Sequence, residues 1–215
     1  MSAAVAQAEA VDYFSDHRVK LRFPWRLYHA PIVRELNTAL SLTDGADVLN
    51  LGSGPFFELS ELLAHRSKRF TLCDIDPRAL SLATEIHGAA LAGADTVSPG
   101  APLPYADARF DAVVSMDVVE HLHDPRPWLR DALRVLKPGG LLFLTTPNYA
   151  SYSLRALENT VLEVIARRQG FSRRALHPSK LDANKLGALL DGAGAHSAQI
   201  KPIAFGWALA AFARR

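Results

Sequence analysis

The 215-residue chain of 23.4 kDa is 49% hydrophobic, and its 24 Lys and Arg against 22 Asp and Glu leave a formal net charge of +2. That suits one full-sized core rather than two domains, and the even balance gives no electrostatic reason to expect a nucleic-acid or membrane surface. The single cysteine, Cys73, can supply neither an intrachain disulfide nor a zinc cluster, no apolar run reaches the roughly 18 to 20 residues that cross a bilayer, and no basic stretch leads into an apolar one at the amino terminus, so a soluble cytoplasmic protein is expected.

Residues 2 to about 40 read as two helical segments separated by RFPW (22–25), because Pro24 interrupts an Ala- and Leu-rich pattern. The period then changes. ADVLNLG (46–52), FTLCDID (70–76), FDAVVSMD (110–117) and GLLFLTTPN (140–148) are short apolar runs ending in Gly, Asp or Asn, as strands buried on both faces of a parallel sheet do. They are predicted strands 1, 2, 4 and 5, with strand 3 somewhere in AGADTVSPG (92–100). Helices are predicted between them over FELSELLAHR (57–66), PRALSLATEIHGAAL (77–91) and PRPWLRDALRVLKPGG (125–140), the last with proline at its start and glycine past its end. An amphipathic helix over 151–175, a helix over DANKLGALLDGAG (182–194) and closing strands near HSAQIKPIAF and GWALAAFAR complete the chain. Strands alternating with helices make this an α/β protein whose parallel sheet is covered on both faces.

The first strand breaks into Gly52-Ser53-Gly54, a turn that lets a ligand approach the backbone closely. A phosphate-binding P-loop is excluded, because no Gly-Lys-Ser/Thr follows. A dinucleotide fingerprint needs glycine at position 57, where Phe57 stands, and that glycine is what packs the helix beneath a pyrophosphate. S-adenosylmethionine (SAM), which has no phosphate, asks less of the turn. Asp74 follows about 20 residues on, at the end of strand 2, where an acidic side chain accepts both ribose hydroxyls. Asp76 is the alternative acceptor, or a helix cap before Pro77.

Taken together, VLNLGSGPF, LCDIDPRAL, LPYADARFDAVVSMDVVEHLHDP and ALRVLKPGGLLFLTTPN resemble class I SAM-dependent methyltransferases, especially the small-molecule branch that includes the ubiquinone-pathway O-methyltransferases. The resemblance covers residues 47–148 in order. It implies a Rossmann-like, seven-stranded, mostly parallel sheet with an antiparallel last strand, in one domain: a helical lid (1–40), a SAM-binding core (41–148), a substrate-side insert (149–180), and a closing helix and strands (181–215). It also implies that Gly52, Ser53 and Gly54 face the methionine end of SAM, that Asp74 holds the ribose, that Ile75 lies against the adenine, and that Met116 lines the site. Within the lid, Tyr13, Tyr28 and His29 would lie near SAM or the acceptor. Asn50 and Phe56 depart from the family pattern, standing where it has an acidic residue and a glycine.

A hydroxyl acceptor must lose a proton, and histidine suits that at neutral pH. Asp117, Glu120 and His121, at offsets 0, 3 and 4, would share one face of a helical turn past strand 4. His121 is the first candidate base and His177 the second, with Tyr149 and Tyr152 as acceptor-lining residues. The Asp-x-x-Glu-His segment is similar to a Glu-x-x-Glu-His segment associated with a divalent metal in ubiquinone-pathway and small-RNA methyltransferases. That resemblance would make Asp117, Glu120 and His121 metal ligands, with His177 a possible fourth; metal-independent relatives carry Glu-His here too, and a metal-free site is the expectation. The predicted function is methyl transfer from SAM to a small organic acceptor, most simply at a hydroxyl of a quinone, polyketide or other secondary metabolite, releasing S-adenosylhomocysteine. A nicotinamide-dependent oxidoreductase and a non-catalytic SAM-binding scaffold are the alternatives. Nucleic acid and membrane are not expected partners.

Overall fold

A computed structural model describes residues 22–45, 47–62, 65, 67–160 and 177–215. Helix α1 (Arg26–Ser41) buries Ile32, Val33, Leu36, Ala39 and Leu40, spaced to form one apolar face at the helical period. There follow β1 (Asp47–Leu51), β2 (Arg69–Asp74), α2 (Pro77–His87), β3 (Leu91–Thr96), β4 (Phe110–Met116), α3 (Pro125–Arg134), β5 (Leu136–Pro147), α4 (Tyr152–Asn159), α5 (Ala183–Ala193), β6 (Ser197–Ile203) and β7 (Ala208–Arg214).

The strands form one seven-stranded sheet in the order β3-β2-β1-β4-β5-β7-β6. Strands β1 to β5 pair in parallel, and β7 runs antiparallel to both β5 and β6. Chain order reverses between β1 and β4, and ligands of open α/β sheets bind beyond the carboxyl ends of the strands at such a point. Period-two alternation sends Val48, Val114 and Phe143 to a core shared with Leu36, Phe70 and Leu80, and Leu49, Val113 and Leu144 to a second core with Leu129, Leu133 and Leu190. Each face of the sheet therefore needs its own layer of helices.

Helices α2 and α3 start by the same device. Asp76 and Asp124 accept hydrogen bonds from the backbone N–H groups of Arg78 and Arg126, with proline in the first turn, a cap worth about 1 kcal/mol. Asp182 caps α5 through Lys185 N, and Gly194, at φ +98°, ends that helix.

Two predicted boundaries move. Of the helix expected over 57–66, the described residues form only a five-residue 3-10 turn, Phe57–Glu61. The helix expected over 125–140 stops at Arg134, because Val135 O accepts from Arg109 N and Phe110 N and Leu136 pairs with Phe110. Gly139 and Gly140, read from sequence as a helix stop, lie inside β5 beside a register shift opposite Phe110 and Ala112. Sheet pairing overrode a local stop signal there. The expected helix before RFPW lies outside the described residues, and of the 151–175 helix the described part is α4. Among the described residues, no helix is long and apolar enough to cross a membrane.

Candidate active site

Beyond β1 the chain folds back onto the end of β2. Gly52 N and Ser53 N both donate to Cys73 O, at 2.7 and 3.2 Å. Gly52 and Gly54 have φ of +73° and +52°, which glycine alone adopts without steric cost. A β-carbon on Gly52 would also lie 2.4 Å from Val118 Cγ2, so backbone conformation and the β4 side of the cleft both demand glycine. Phe56, where the family resemblance leads one to expect another glycine, takes the left-handed conformation nonetheless (φ +49°), at a cost of about 1–2 kcal/mol. Its ring is buried and meets Phe70 edge-on at 5.4 Å. Burial of such a ring contributes about 1.5–3 kcal/mol, enough to offset the strain.

Asp74 closes the other side of the loop. Its Oδ2 accepts from Gly54 N at 2.7 Å and its Oδ1 from Asp76 N at 2.9 Å. A carboxylate offers about four lone-pair sites, so those two bonds leave acceptor capacity for a pair of hydroxyls. Burial pushes the Asp74 pKa above the usual carboxylate value, although the backbone donors pull the other way. Asp76 is differently engaged. Its carboxylate accepts from Arg78 N at 2.9 Å and pairs with the Arg78 guanidinium at 3.0 and 2.8 Å, and those bonds hold its pKa down. Between the two aspartates, the cap role falls to Asp76 and Asp74 keeps acceptor capacity. Beside Asp74, Ile75 is exposed, as an apolar face awaiting a planar ligand would be, and Met116 is half-buried at the end of β4 against the first core.

Asn50, two residues before the loop, is fully buried, and neither Nδ2 nor Oδ1 has a hydrogen-bond partner among the described residues. An unanswered buried carboxamide costs about 1–3 kcal/mol, so a bound polar group or water is the natural complement. The loop, the acceptor capacity of Asp74, exposed Ile75 and this carboxamide suit an adenosyl ligand with a polar amino-acid tail. Cys73 adds nothing nucleophilic, because burial pushes its thiol to about 12.

The segment after β4 departs from expectation. Asp117 is left-handed (φ +54°) and Val119–His121 form a 3-10 turn, so Asp117, Glu120 and His121 do not share the face of an α-helical turn. The Asp117 carboxylate accepts from Thr145 Oγ1 at 2.9 Å. Buried Glu120 accepts from Thr146 Oγ1 at 3.0 Å. His121 is exposed and meets His177 edge-on, ring centroids 4.9 Å apart. The docking comes from Ser179, whose N donates to Glu120 O at 3.1 Å and whose Oγ donates to Leu122 O at 2.6 Å. The fold thus unites two histidines 56 positions apart in sequence, and the Tyr149 hydroxyl is 2.6 Å from His177 Nδ1. One ligand atom each of Glu120, His121 and His177 lie within 4.8 Å of one another, a set that could hold a cation and does not include Asp117.

Tyr28 and His29 sit on α1 with rings 5.0 Å apart, Tyr28 packed against the first core together with Met116. Tyr13 lies outside the described residues, and Tyr152 is largely exposed with Arg155 over its ring at 4.6 Å. Sequence reasoning missed Glu158, Thr146 and Ser179. They bear on the histidines only through tertiary contact, and no spacing signals that.

Residues 49–144 match the methyltransferase domain family. A Mycolicibacterium smegmatis protein named "Probable S-adenosylmethionine-dependent methyltransferase" is 35% identical over 111 residues, 51% of this chain and 41% of that one. A ubiquinone biosynthesis O-methyltransferase of Cereibacter sphaeroides is 35% identical over 118 residues, 54% and 46% of the two chains. The chain spans about half the length of the curated relatives it matches. The crystal structure of a SAM-dependent methyltransferase from Aquifex aeolicus superposes with a TM-score of 0.64 at 15% identity, covering 100% of this chain and 99% of that one, which shows a shared fold. Over residues 49–144 the chain is thus similar to the methyltransferase domain family, and it shares its fold with S-adenosylmethionine-dependent methyltransferases.

Proposed function

We propose that this protein methylates a hydroxyl oxygen of a small organic acceptor, a quinone, polyketide or similar secondary metabolite, with the His121–His177 pair accepting the hydroxyl proton. The observation that carries this reading is the pair itself, 4.9 Å apart just beyond β4, where one ring is exposed and the other buried. A ubiquinone-pathway O-methyltransferase among the relatives supports oxygen as the acceptor atom.

Bound SAM supplies an electrophilic methyl on a sulfonium. The protein's share of the work is to position, exclude water and take a proton. Gly52, Ser53 and Gly54 present backbone to the amino-acid end, Asp74 accepts the ribose hydroxyls, and Ile75 and Met116 supply apolar contact. Exposed His121 meets the acceptor, while buried Glu120, fixed by Thr146, holds the turn that carries it. Tyr28 and His29 on α1 and Tyr149 beyond β5 are the acceptor-side residues. The 1–40 segment acts as the lid and 149–180 as the substrate-side insert, in a cytoplasmic enzyme.

Calorimetry with SAM, S-adenosylhomocysteine and NADH tests the cofactor, and labelled methyl transfer to phenols, quinols and alcohols tests the acceptor. Binding of SAM with transfer to a hydroxyl, lost in His121→Asn and His177→Asn, is the expected result. Tight NADH binding without SAM binding would replace the reading with an oxidoreductase, and SAM binding with no transfer to any class would make the protein a scaffold.

A second reading rests on the same cluster, since Glu120, His121 and His177 offer one carboxylate and two imidazoles within 4.8 Å, a donor set that suits Mg²⁺, Mn²⁺ or Zn²⁺. The base reading expects activity to survive chelation. Loss on chelation, with recovery on adding one metal, would favour the metal.

A further inference from the structure

A helix lying on a sheet buries its apolar face and gives its outer face to polar side chains. The outer face of α1 is mixed instead. Arg26, Leu27 and Arg34 recur there at the helical period and, with Phe23 and Phe205, line a cleft of about 550 Å³. That volume falls among small-molecule sites, which span about 300–1,000 Å³.

The apolar groups of the cleft are left bare, with Phe23 80% exposed, Phe205 76% and Leu27 46%. Phe205 is also held at φ +61°, a conformation that strains a bulky residue. Phe56 offsets similar strain by burying its ring. The Phe205 ring meets Trp207 at 5.9 Å and otherwise faces solvent, so its strain serves something other than the core.

Charge selects the ligand. The guanidiniums of Arg26 and Arg34 have no ion-pair partner among the described residues. Of the described residues lining the cleft the one carboxylate is Glu35, and it pairs with Lys201 at 2.7 Å. Two uncompensated cations beside apolar walls suit an apolar body that carries an anion, and they repel a cation. The cleft also lies on the same edge of the sheet as the glycine turn and the histidines. Strand β6 ends at Ile203 opposite Ala208, which pairs with Pro147 at the carboxyl end of β5. Asn148 then binds the wall of the cleft, its N donating to Trp207 O at 2.8 Å and its Nδ2 to Gly206 O at 2.9 Å.

We propose that the cleft between α1 and the Ala204–Gly206 turn binds an amphipathic anion, an aromatic or other apolar body bearing a carboxylate, with Arg26 and Arg34 taking the charge and Phe205 the body. That this anion is the methyl acceptor rests on the methyl-transfer reading above. The charge preference of the cleft does not.

Naphthylacetate, naphthylacetamide and naphthylethylamine share one apolar body and differ in charge, so titration calorimetry of the full chain with each isolates the electrostatic part. An exposed ion pair is worth up to about fivefold in affinity. The carboxylate is therefore expected to bind about five- to 25-fold more tightly than the amide, with the amine weakest. Arg26→Gln and Arg34→Gln should each weaken the carboxylate about two- to fivefold, and the double variant should bring it to the affinity of the amide. Phe205→Ala should weaken carboxylate and amide alike. Circular dichroism establishes that each variant folds. Equal affinity for carboxylate and amine, or a carboxylate affinity unmoved in the double variant, overturns the proposal. So does binding to phosphatidylglycerol vesicles without binding of free naphthylacetate, which would make this face a lipid-docking surface. In the transfer assay the hydroxy derivative of the carboxylate is expected to show a lower KM than that of the amide, and the double variant to erase the difference. Carboxylate binding through both arginines with methyl transfer to no hydroxyl compound would remove the methyl-transfer reading and leave the ligand of the cleft standing.

Discussion

Replacing Asp74 by Asn separates the two aspartates that follow β2. Asp74 spends one carboxylate oxygen on Gly54 N and the other on Asp76 N, and under the proposed function its remaining lone pairs take the ribose hydroxyls. Asn keeps a single acceptor oxygen and turns an amide N–H₂ toward groups that are themselves donors. At least one charge-assisted bond is lost, which costs about 1.5–3 kcal/mol, or about 10- to 150-fold in Kd at about 1.4 kcal/mol per decade. Asp76→Asn is the control. Asn caps helices about as well as Asp, and Asp76 is committed to Arg78, so SAM affinity there should stay within about threefold. Titration calorimetry with SAM and S-adenosylhomocysteine, alongside thermal unfolding of each variant, reads both effects. If Asp74→Asn bound SAM as wild type does while Asp76→Asn lost it, the assignment of the ribose to Asp74 would be wrong.

The same carboxylate sets a pH dependence. Burial raises the pKa of Asp74 and ribose binding needs the ionised form, so SAM affinity should fall as pH drops through that raised value. Because the folded protein holds this proton more tightly than the unfolded chain, the Asp74 contribution to stability of the SAM-free protein should move oppositely, rising as pH falls through the same window; parallel trends in binding and stability would refute this. Gly52→Ala drives a methyl to 2.4 Å from Val118 Cγ2 at φ +73° and should destabilise by about 1–3 kcal/mol in urea unfolding, with Gly52→Ala/Val118→Ala recovering only the steric part. Phe56→Gly relieves the left-handed strain at φ +49°, about 1–2 kcal/mol, but empties a buried ring site, and since Phe-to-Ala changes in cores cost about 3–5 kcal/mol, a net loss of about 1–4 kcal/mol is expected; a more stable Phe56→Gly protein would show that the strain, not the packing, dominates.

What the sequence determined by itself was local in origin. Val48-Leu49-Asn50-Leu51 and Leu141-Leu142-Phe143-Leu144 read as strands buried on both faces because neighbouring side chains had to enter opposite cores. Pro77 and Pro125 marked helix starts, and Gly52-x-Gly54 marked the turn after β1, since first-turn prolines and positive φ angles depend on a few adjacent residues. Tertiary structure decided what depends on distant partners. Pairing of Leu136 with Phe110 drew Gly139 and Gly140 into β5 and ended α3 early. Ser179, docking on Glu120 and Leu122, brought His177 to His121, and α4 brought Glu158 to Tyr149. Hydrogen bonds and ring contacts between residues tens of positions apart leave no periodicity in the chain, so the glycine turn beyond β1 and Asp74 at the end of β2 were legible in sequence and the arrangement around the histidines was not.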